Sequence, residues 1–369
     1  MGAQKYRVGI IGLSGITSGT PQPPGPRAAW QGWKVGPPFD REILISHAAC
    51  LALMDHIEVV GYCDLVPETR DKFKENWGSR WPDARPYDDY KKMLAEANLD
   101  ILTVGTGDHV HAQMCVDGAN AGVKAIIVEK PMATSMGDAN RMLKACEDNG
   151  VPISVGHTRA WDPIYHKVRD MIRADVIGPL STIYASQGGA RAMMFRNGTH
   201  ILHGVVFFAD SPPQQIWAKL EEGFDDWDEY RGDGGKKPEN DPGVDGYIEF
   251  ENGVRALFSS NKQTIGDSQI RLAGSKGQIC FGLGDGYATL ETQDAESGDT
   301  VSRTIKPVGL SSNYQQMGYV AAYQELIDLV EKGEGQSVGS GQQARHVVQV
   351  LTGFLKSHQA GSTLVDVPQ

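Results

Sequence analysis

Alternation of continuous apolar runs with helical segments constrains this chain more than any other feature of its sequence. "YRVGII" (6–11) and "HIEVVGYCD" (56–64) flank a helical "SHAACLALM", while "LDILTVGTG" (99–107) and "VKAIIVEKP" (123–131) are followed by helical stretches, "HAQMCVDGANAG" and "SMGDANRMLKACEDNG". Strands that are apolar on both sides and separated by helices require a parallel sheet covered on both faces. Ser135 supplies an N-cap and Gly150 a C-terminal stop for the last of these helices.

After "VPISVG" (151–156) the texture changes. Asp162 and Pro163 read as an N-cap and a first-turn proline for the helix "PIYHKVRDMIRAD". From Ser181 onward short strands dominate, Asn252-Gly253 marks a hairpin, and two helices near 314–332 and 341–358 close the chain. At 369 residues the chain exceeds one ordinary core. The fold class read here is α/β: residues 1–152 form one domain on a parallel sheet, and 153–369 form an α+β domain with a large open, mostly antiparallel sheet. The acidic, Gly-rich stretch 225–243 reads as a surface loop.

Hydrophobic content of 40% and charged content of 22% suit a globular protein, and no apolar run reaches the roughly 20 residues of a membrane helix. A net charge of -11 opposes binding to nucleic acid or an anionic membrane, so the partner expected is a small molecule. The N-terminus runs straight into a strand without the pattern of a secretory signal, and a cytoplasmic location is expected. Cys50, Cys63, Cys115, Cys146 and Cys280 lack disulfide or zinc spacing and read as buried thiols.

The turn after the first strand, Gly12 to Thr17, keeps only the first glycine of the GxGxxG pattern. Ser14 and Thr17 are small substitutes, Gly15 is out of register and Ile16 follows it. Asp64 closes the second strand, where an acid accepts bonds from ribose hydroxyls and repels a 2′-phosphate, which favours NAD over NADP. The spacing from turn to acid becomes ordinary once about 18–45 is treated as an insertion. Its prolines (Pro21, Pro23, Pro24, Pro26, Pro37, Pro38) exclude helix or central strand, and an ordered loop beside the cofactor is expected, with Trp30 and Trp33 packing against something. Residues 1–152 thus read as a Rossmann domain.

"VEKPMATS" (128–135), with "TGDHVHAQMCVDGANAG" before it and "GHTRAWDPIYHKVRDMIRADVIGPL" after it, resembles the Gfo/Idh/MocA family of NAD(P)-dependent sugar and cyclitol oxidoreductases. The resemblance implies a Rossmann domain, a substrate and oligomerisation domain, and an active site between them. It assigns Lys130 to that site, stabilising charge on the reacting oxygen, and places Glu129, Thr106 and His109 beside the cofactor. The family pattern of aspartate, three residues, then histidine puts the general base at His200 in "FRNGTHILHG", but the aspartate position holds Arg196. An imidazole suits proton removal at neutral pH. Arg196, Arg159 and Arg191 point to an anionic substrate group, the alternative being that Arg196 turns away and pairs with an acid; His157 points to the domain interface, and Trp161 either to a sugar ring or to the core. His203, three residues beyond His200, invites a metal reading, but no third ligand stands out and no metal is expected.

Three functions remain in play: net oxidation or reduction of a carbohydrate hydroxyl with NAD; a redox-neutral NAD-dependent glycosidase that oxidises, eliminates, hydrates and reduces, on a glycoside such as that of a uronate or sulfosugar; and a non-catalytic sensor. The resemblance also implies a homodimer or homotetramer.

Overall fold

The computed structural model describes residues 5–19, 46–230, 237–266, 268–282, 287–294, 296–306 and 318–369. Most of the proline-rich insertion, Trp30 and Trp33 included, lies outside the described residues, so the loop expected there is not part of this description.

The first part runs β1 (Tyr6–Ile11), α1 (His47–Ala52), β2 (Ile57–Cys63), α2 (Pro67–Trp77), β3 (Arg85–Tyr87), α3 (Tyr90–Glu96), β4 (Ile101–Val104), α4 (His111–Asn120), β5 (Ala125–Val128), α5 (Met136–Asp148) and β6 (Ile153–Val155). Its six strands pair in parallel in the order β3-β2-β1-β4-β5-β6. Every residue of β4 and β5 is buried, as their unbroken apolar runs require. Ser135 caps α5 through the Asp138 N–H, and Gly150 follows its end at φ +64°. Because β6 pairs with β5, this sheet extends to residue 155, beyond the boundary at 152 expected from sequence.

The second part runs α6 (Pro163–Arg173), β7 (Leu180–Gly188), α7 (Thr199–Ala209), β8 (Pro213–Leu220), β9 (Val244–Phe250), β10 (Arg255–Asn261), β11 (Ser268–Gly274), β12 (Gly277–Gly282), β13 (Ala288–Gln293), β14 (Thr300–Ile305), α8 (Tyr319–Lys332), α9 (Gly341–Gln359) and β15 (Val365–Asp366). Its nine strands lie in the order β14-β13-β12-β11-β7-β10-β9-β8-β15, antiparallel apart from the β7/β10 pair. The β9/β10 hairpin turns at Gly253 (φ +84°), with the Asn252 side chain accepting the Val254 N–H. Gly246 lacks a side chain for a packing reason: a Cβ there would lie 2.5 Å from the Phe354 ring of α9.

Helix α7 is buried from Ile201 through Ala209, apolar all round because it packs against the sheet, α9 and the 158–161 turn at once. A helix held on several sides makes a rigid mount for whatever stands at its N-terminus. The closing helices correct the simple two-part division. Tyr319, Tyr323, Leu326 and Ile327 of α8 share a core with Val8, Ile10, Leu51 and Ile127, while Ala344 and Val348 of α9 join the core on the other face of the parallel sheet. Two further readings need revision. Among the described residues of 225–243, Trp227 and Asp241 are buried while most of the others face solvent, and Cys280 is only half-buried, unlike the other four thiols.

Candidate active site

The strand order reverses between β1 and β4, and a doubly wound sheet opens a crevice at the carboxyl ends of the strands there. Gly12 ends β1 at φ +80°, and a Cβ on it would lie 2.7 Å from the Gly105 carbonyl at the end of β4. Glycine is therefore required at this one position by both backbone and space. Thr17, at the third-glycine position, is fully buried and its hydroxyl donates to the Gly105 carbonyl (3.3 Å). The Asp64 carboxylate accepts the Leu13 N–H (2.9 Å) and the Val66 N–H (3.0 Å), which holds the turn against the end of β2.

The turn itself begins a helix. Thr17 N–H donates to the Ser14 carbonyl and Gly19 N–H to that of Gly15; then the Ile16 and Thr17 carbonyls accept from His47 and Ala48 (both 3.0 Å), and the Ser46 hydroxyl accepts the Ala49 N–H. The chain thus makes one helical turn, leaves after Gly19 and resumes the same helix at Ser46. The first amides of α1 are satisfied internally, whereas those of Ser14, Gly15 and Ile16 carry no intramolecular hydrogen bond among the described residues. Ser14 and Gly15 are exposed, and Gly15 sits at φ +57° with open space where a Cβ would be. Free amides at the start of a helix suit a pyrophosphate, so the crevice fits a dinucleotide despite its altered glycines.

Beyond β5, the buried Glu129 carboxylate accepts from Tyr319 Oη and pairs with His47 Nε2 (3.2 Å). His47 Nδ1 meets Tyr323 Oη (2.8 Å), which in turn meets Thr103 Oγ1 (2.7 Å). Burial opposes the carboxylate's charge, but the hydrogen bond and charge of His47, with help from Lys130 and Tyr319, hold its pKa down at about 2. The neighbouring Lys130 ammonium donates to the Arg196 carbonyl (3.0 Å). Burial, then the Arg196 charge, bring its pKa down to about 8, against the opposing pull of Glu129. His111 spans the two loops of the crevice, Nδ1 at the Pro131 carbonyl (3.0 Å) and Nε2 at that of Thr106 (3.1 Å).

Opposite Lys130, a π-turn (Met194–Gly198) leads into α7. The buried Asp241 carboxylate accepts the N–H groups of Phe195 (3.0 Å) and Arg196 (2.8 Å), which fixes that turn from a distant loop. His200 follows on the first turn of α7, half-buried, its Nδ1 shut off from solvent without a partner. Burial and the charges of Lys130 and Arg159 push its pKa well below the usual imidazole range, so the ring is neutral. His157 stands edge-on to it (ring centroids 6.2 Å apart), stacks on His203 (4.5 Å) and bonds Thr199 Oγ1 (3.0 Å). Asp108 receives a hydrogen bond from Tyr230 (2.6 Å), whose ring packs on Phe195.

Residues 42–157 match the family described as "Oxidoreductase family, NAD-binding Rossmann fold", GFO_IDH_MocA. That stretch, about a third of the chain, is similar to the Gfo/Idh/MocA family. Among curated relatives it is 33% identical over 125 residues to D-apiose dehydrogenase of Paraburkholderia graminis (34% of this chain, 32% of that one). It is 26% identical over 123 residues to inositol 2-dehydrogenase of Salmonella typhimurium (33% and 35%). The matched stretch spans about a third of the length of these relatives. The fold agrees over the whole chain with levoglucosan dehydrogenase solved with NADH (TM-score 0.74, 15% identity, 99% of this chain and 100% of that one). It agrees as well with the WlbA dehydrogenase of Bordetella pertussis solved with NADH and UDP-GlcNAcA (0.72, 18%, 99% and 100%).

Against the family pattern, Lys130, His200, Arg196, Arg159 and His157 come together, as do Gly12, Ser14, Gly15, Ile16 and Asp64 at the turn. Thr106 lies on the loop between them, half-buried, its hydroxyl on the Gly107 carbonyl. Two expected site residues turn elsewhere. The Glu129 side chain is turned into the His47–Tyr319 network rather than toward a cofactor. Trp161 is core: its ring is buried against Gly339 and its N–H donates to Glu325 (3.0 Å). His109 and Arg191 are exposed. Among the described residues no group of three acidic, His or Cys side chains is arranged to hold a metal. Sequence reading missed His47, His111, Asp108, Tyr230, Asp241 and Tyr319. Of these only His111 and Asp108 carried a signal, flanking His109 directly after a strand end.

Proposed function

We propose that this chain is an NAD-dependent oxidoreductase acting on a hydroxyl of a sugar, cyclitol or related acid. The reading is carried by one observation: a neutral imidazole, His200, lies within electrostatic reach of the half-buried Lys130 ammonium, which rests on the Arg196 carbonyl one helical turn before it. NAD, when bound, supplies the hydride acceptor. His200 takes the hydroxyl proton, and Lys130 donates to the same oxygen and stabilises the charge it gains. The Asp241 carboxylate keeps the π-turn in place, so that Lys130 has a fixed carbonyl to rest on and His200 a fixed mount. Asp64 would hold the adenosine ribose and the Ser14–Ile16 amides the pyrophosphate of a bound NAD.

The test is to incubate the protein with NAD and a panel of neutral and acidic sugars and their aryl glycosides, following NADH absorbance and aglycone release together. NADH rising in proportion to oxidised product is expected. Aglycone released over many turnovers without net NADH would replace this reading with the glycosidase.

A pH profile follows from the two groups. Lys130 must be protonated, so kcat/KM is expected to decline above about 8, where the ammonium begins to lose its proton. His200 must be neutral, and its depressed pKa keeps it so throughout the mildly acidic range, which leaves no limb near the ordinary imidazole value. An acid limb centred there would mean that another histidine is the base. A homodimer through the face of the nine-stranded sheet that carries exposed Tyr184 and Leu257, paired neighbours on β7 and β10, is part of the same reading, and light scattering measures it.

A further inference from the structure

Lys130, Arg196 and Arg159 bring three cations to the cleft of a chain whose net charge is -11. Arg196 and Arg159 both act on Lys130, Lys130 and Arg159 act on His200, and three nearby acids already have partners: Glu129 in His47 and Tyr319, Asp241 in two backbone amides, and Asp108 by one oxygen in Tyr230. The Arg196 guanidinium is half-buried and has neither an acid nor a hydrogen-bond partner among the described residues. It stands where its backbone carbonyl receives the Lys130 ammonium, one helical turn before His200. A half-buried cation with no partner, set beside the Lys130 ammonium, is costly unless something anionic arrives to meet it.

We propose, resting on the oxidoreductase reading above, that the site takes hydroxy compounds carrying a carboxylate on the same molecule, and that Arg196 is the residue that binds that carboxylate. A guanidinium offers the planar pair of donors that a carboxylate accepts, and a lysine ammonium does not. The bound carboxylate also offsets the like charge that depresses Lys130, so the ammonium stays protonated when substrate is present. The anion thus serves the chemistry as well as selection.

Binding is tested apart from turnover. Calorimetric titration of the NAD-saturated full-length protein with glucuronate against glucose, and galacturonate against galactose, is expected to show the acid binding about 10- to 100-fold more tightly than its neutral partner. Arg196→Met is expected to bring that ratio close to one, and Arg196→Lys to retain part of it, with melting curves establishing that each variant is folded. Equal affinity for acid and neutral sugar, binding of neither, or an acid preference that Arg196→Met leaves intact overturns the inference. NADH formation is read separately in the same samples. Arg196-dependent acid binding without any NADH supports the anion site and removes the oxidoreductase reading; NADH formed as readily from neutral sugars as from acids does the reverse.

Discussion

Replacing His200 with glutamine is expected to lower kcat by about 10²- to 10⁴-fold, the range that a positioned general base contributes. Glutamine approximates the size and polarity of the imidazole but cannot take a proton at neutral pH. The ring stands on the first turn of a helix buried on all sides, so the substitution leaves its mount in place. NAD affinity, read by quenching of protein fluorescence, is expected to hold, because the turn that would contact the pyrophosphate lies on β1 and the hydroxyl-facing group on α7. The stacked His157–His203 pair sharpens the test. Both rings are neutral, His157 through burial and the charge of its neighbours, His203 with its pKa pushed down to about 3. Either could be imagined as the base, yet both are buried, and His157 is already spent on Thr199. A His200→Gln protein that retained most of its activity would move the base to one of them.

The parts of this molecule that were legible in the sequence are those set by local chemistry. Unbroken apolar runs gave parallel strands because both faces of such a sheet are covered, and the Asn252-Gly253 turn and the Ser135 and Asp162 caps stand where their side chains predicted. Lys130 and His200 were singled out through the family pattern. Contacts between segments far apart in the chain were not. Asp241, in a stretch read as solvent-exposed, is buried because two amides of the π-turn need an acceptor, and nothing within that stretch announces the requirement. Glu129 is adjacent to Lys130, which suggested a shared surface, but successive residues leaving a strand point opposite ways, and its side chain went inward. Trp161 had two plausible destinations from composition alone, and Gly339, far along the chain, is what makes room for it in the core. The position of Arg196 was visible, while its lack of a partner could be seen only once the neighbouring acids were accounted for.

The inward course of Glu129 makes it the most consequential buried charge near the site. Glu129→Ala is expected to destabilise the protein by about 3–5 kcal/mol in a denaturant titration, the scale of breaking a buried pair by removing one member. The cost arises because His47 and the Tyr319 hydroxyl lose their acceptor in a region closed to water, where α1, β5 and α8 meet. Glu129→Gln, which keeps the shape and one acceptor oxygen, is expected to cost less. The pH dependence separates charge from packing. A carboxylate held at about 2 in the folded protein, below its ordinary value of 4.5, contributes stability that is complete above 4.5 and is lost as pH falls toward 2. Over that window the native protein should lose stability that Glu129→Gln does not have to lose, so the difference between the two narrows with acid. The same substitution reaches the chemistry, because Glu129 raises the pKa of Lys130 against burial and Arg196. Without that negative charge the ammonium gives up its proton sooner, and the alkaline limb of kcat/KM in Glu129→Gln is expected to move below about 8. A glutamine variant that lost stability but kept the native alkaline limb would show that Glu129 serves the fold alone.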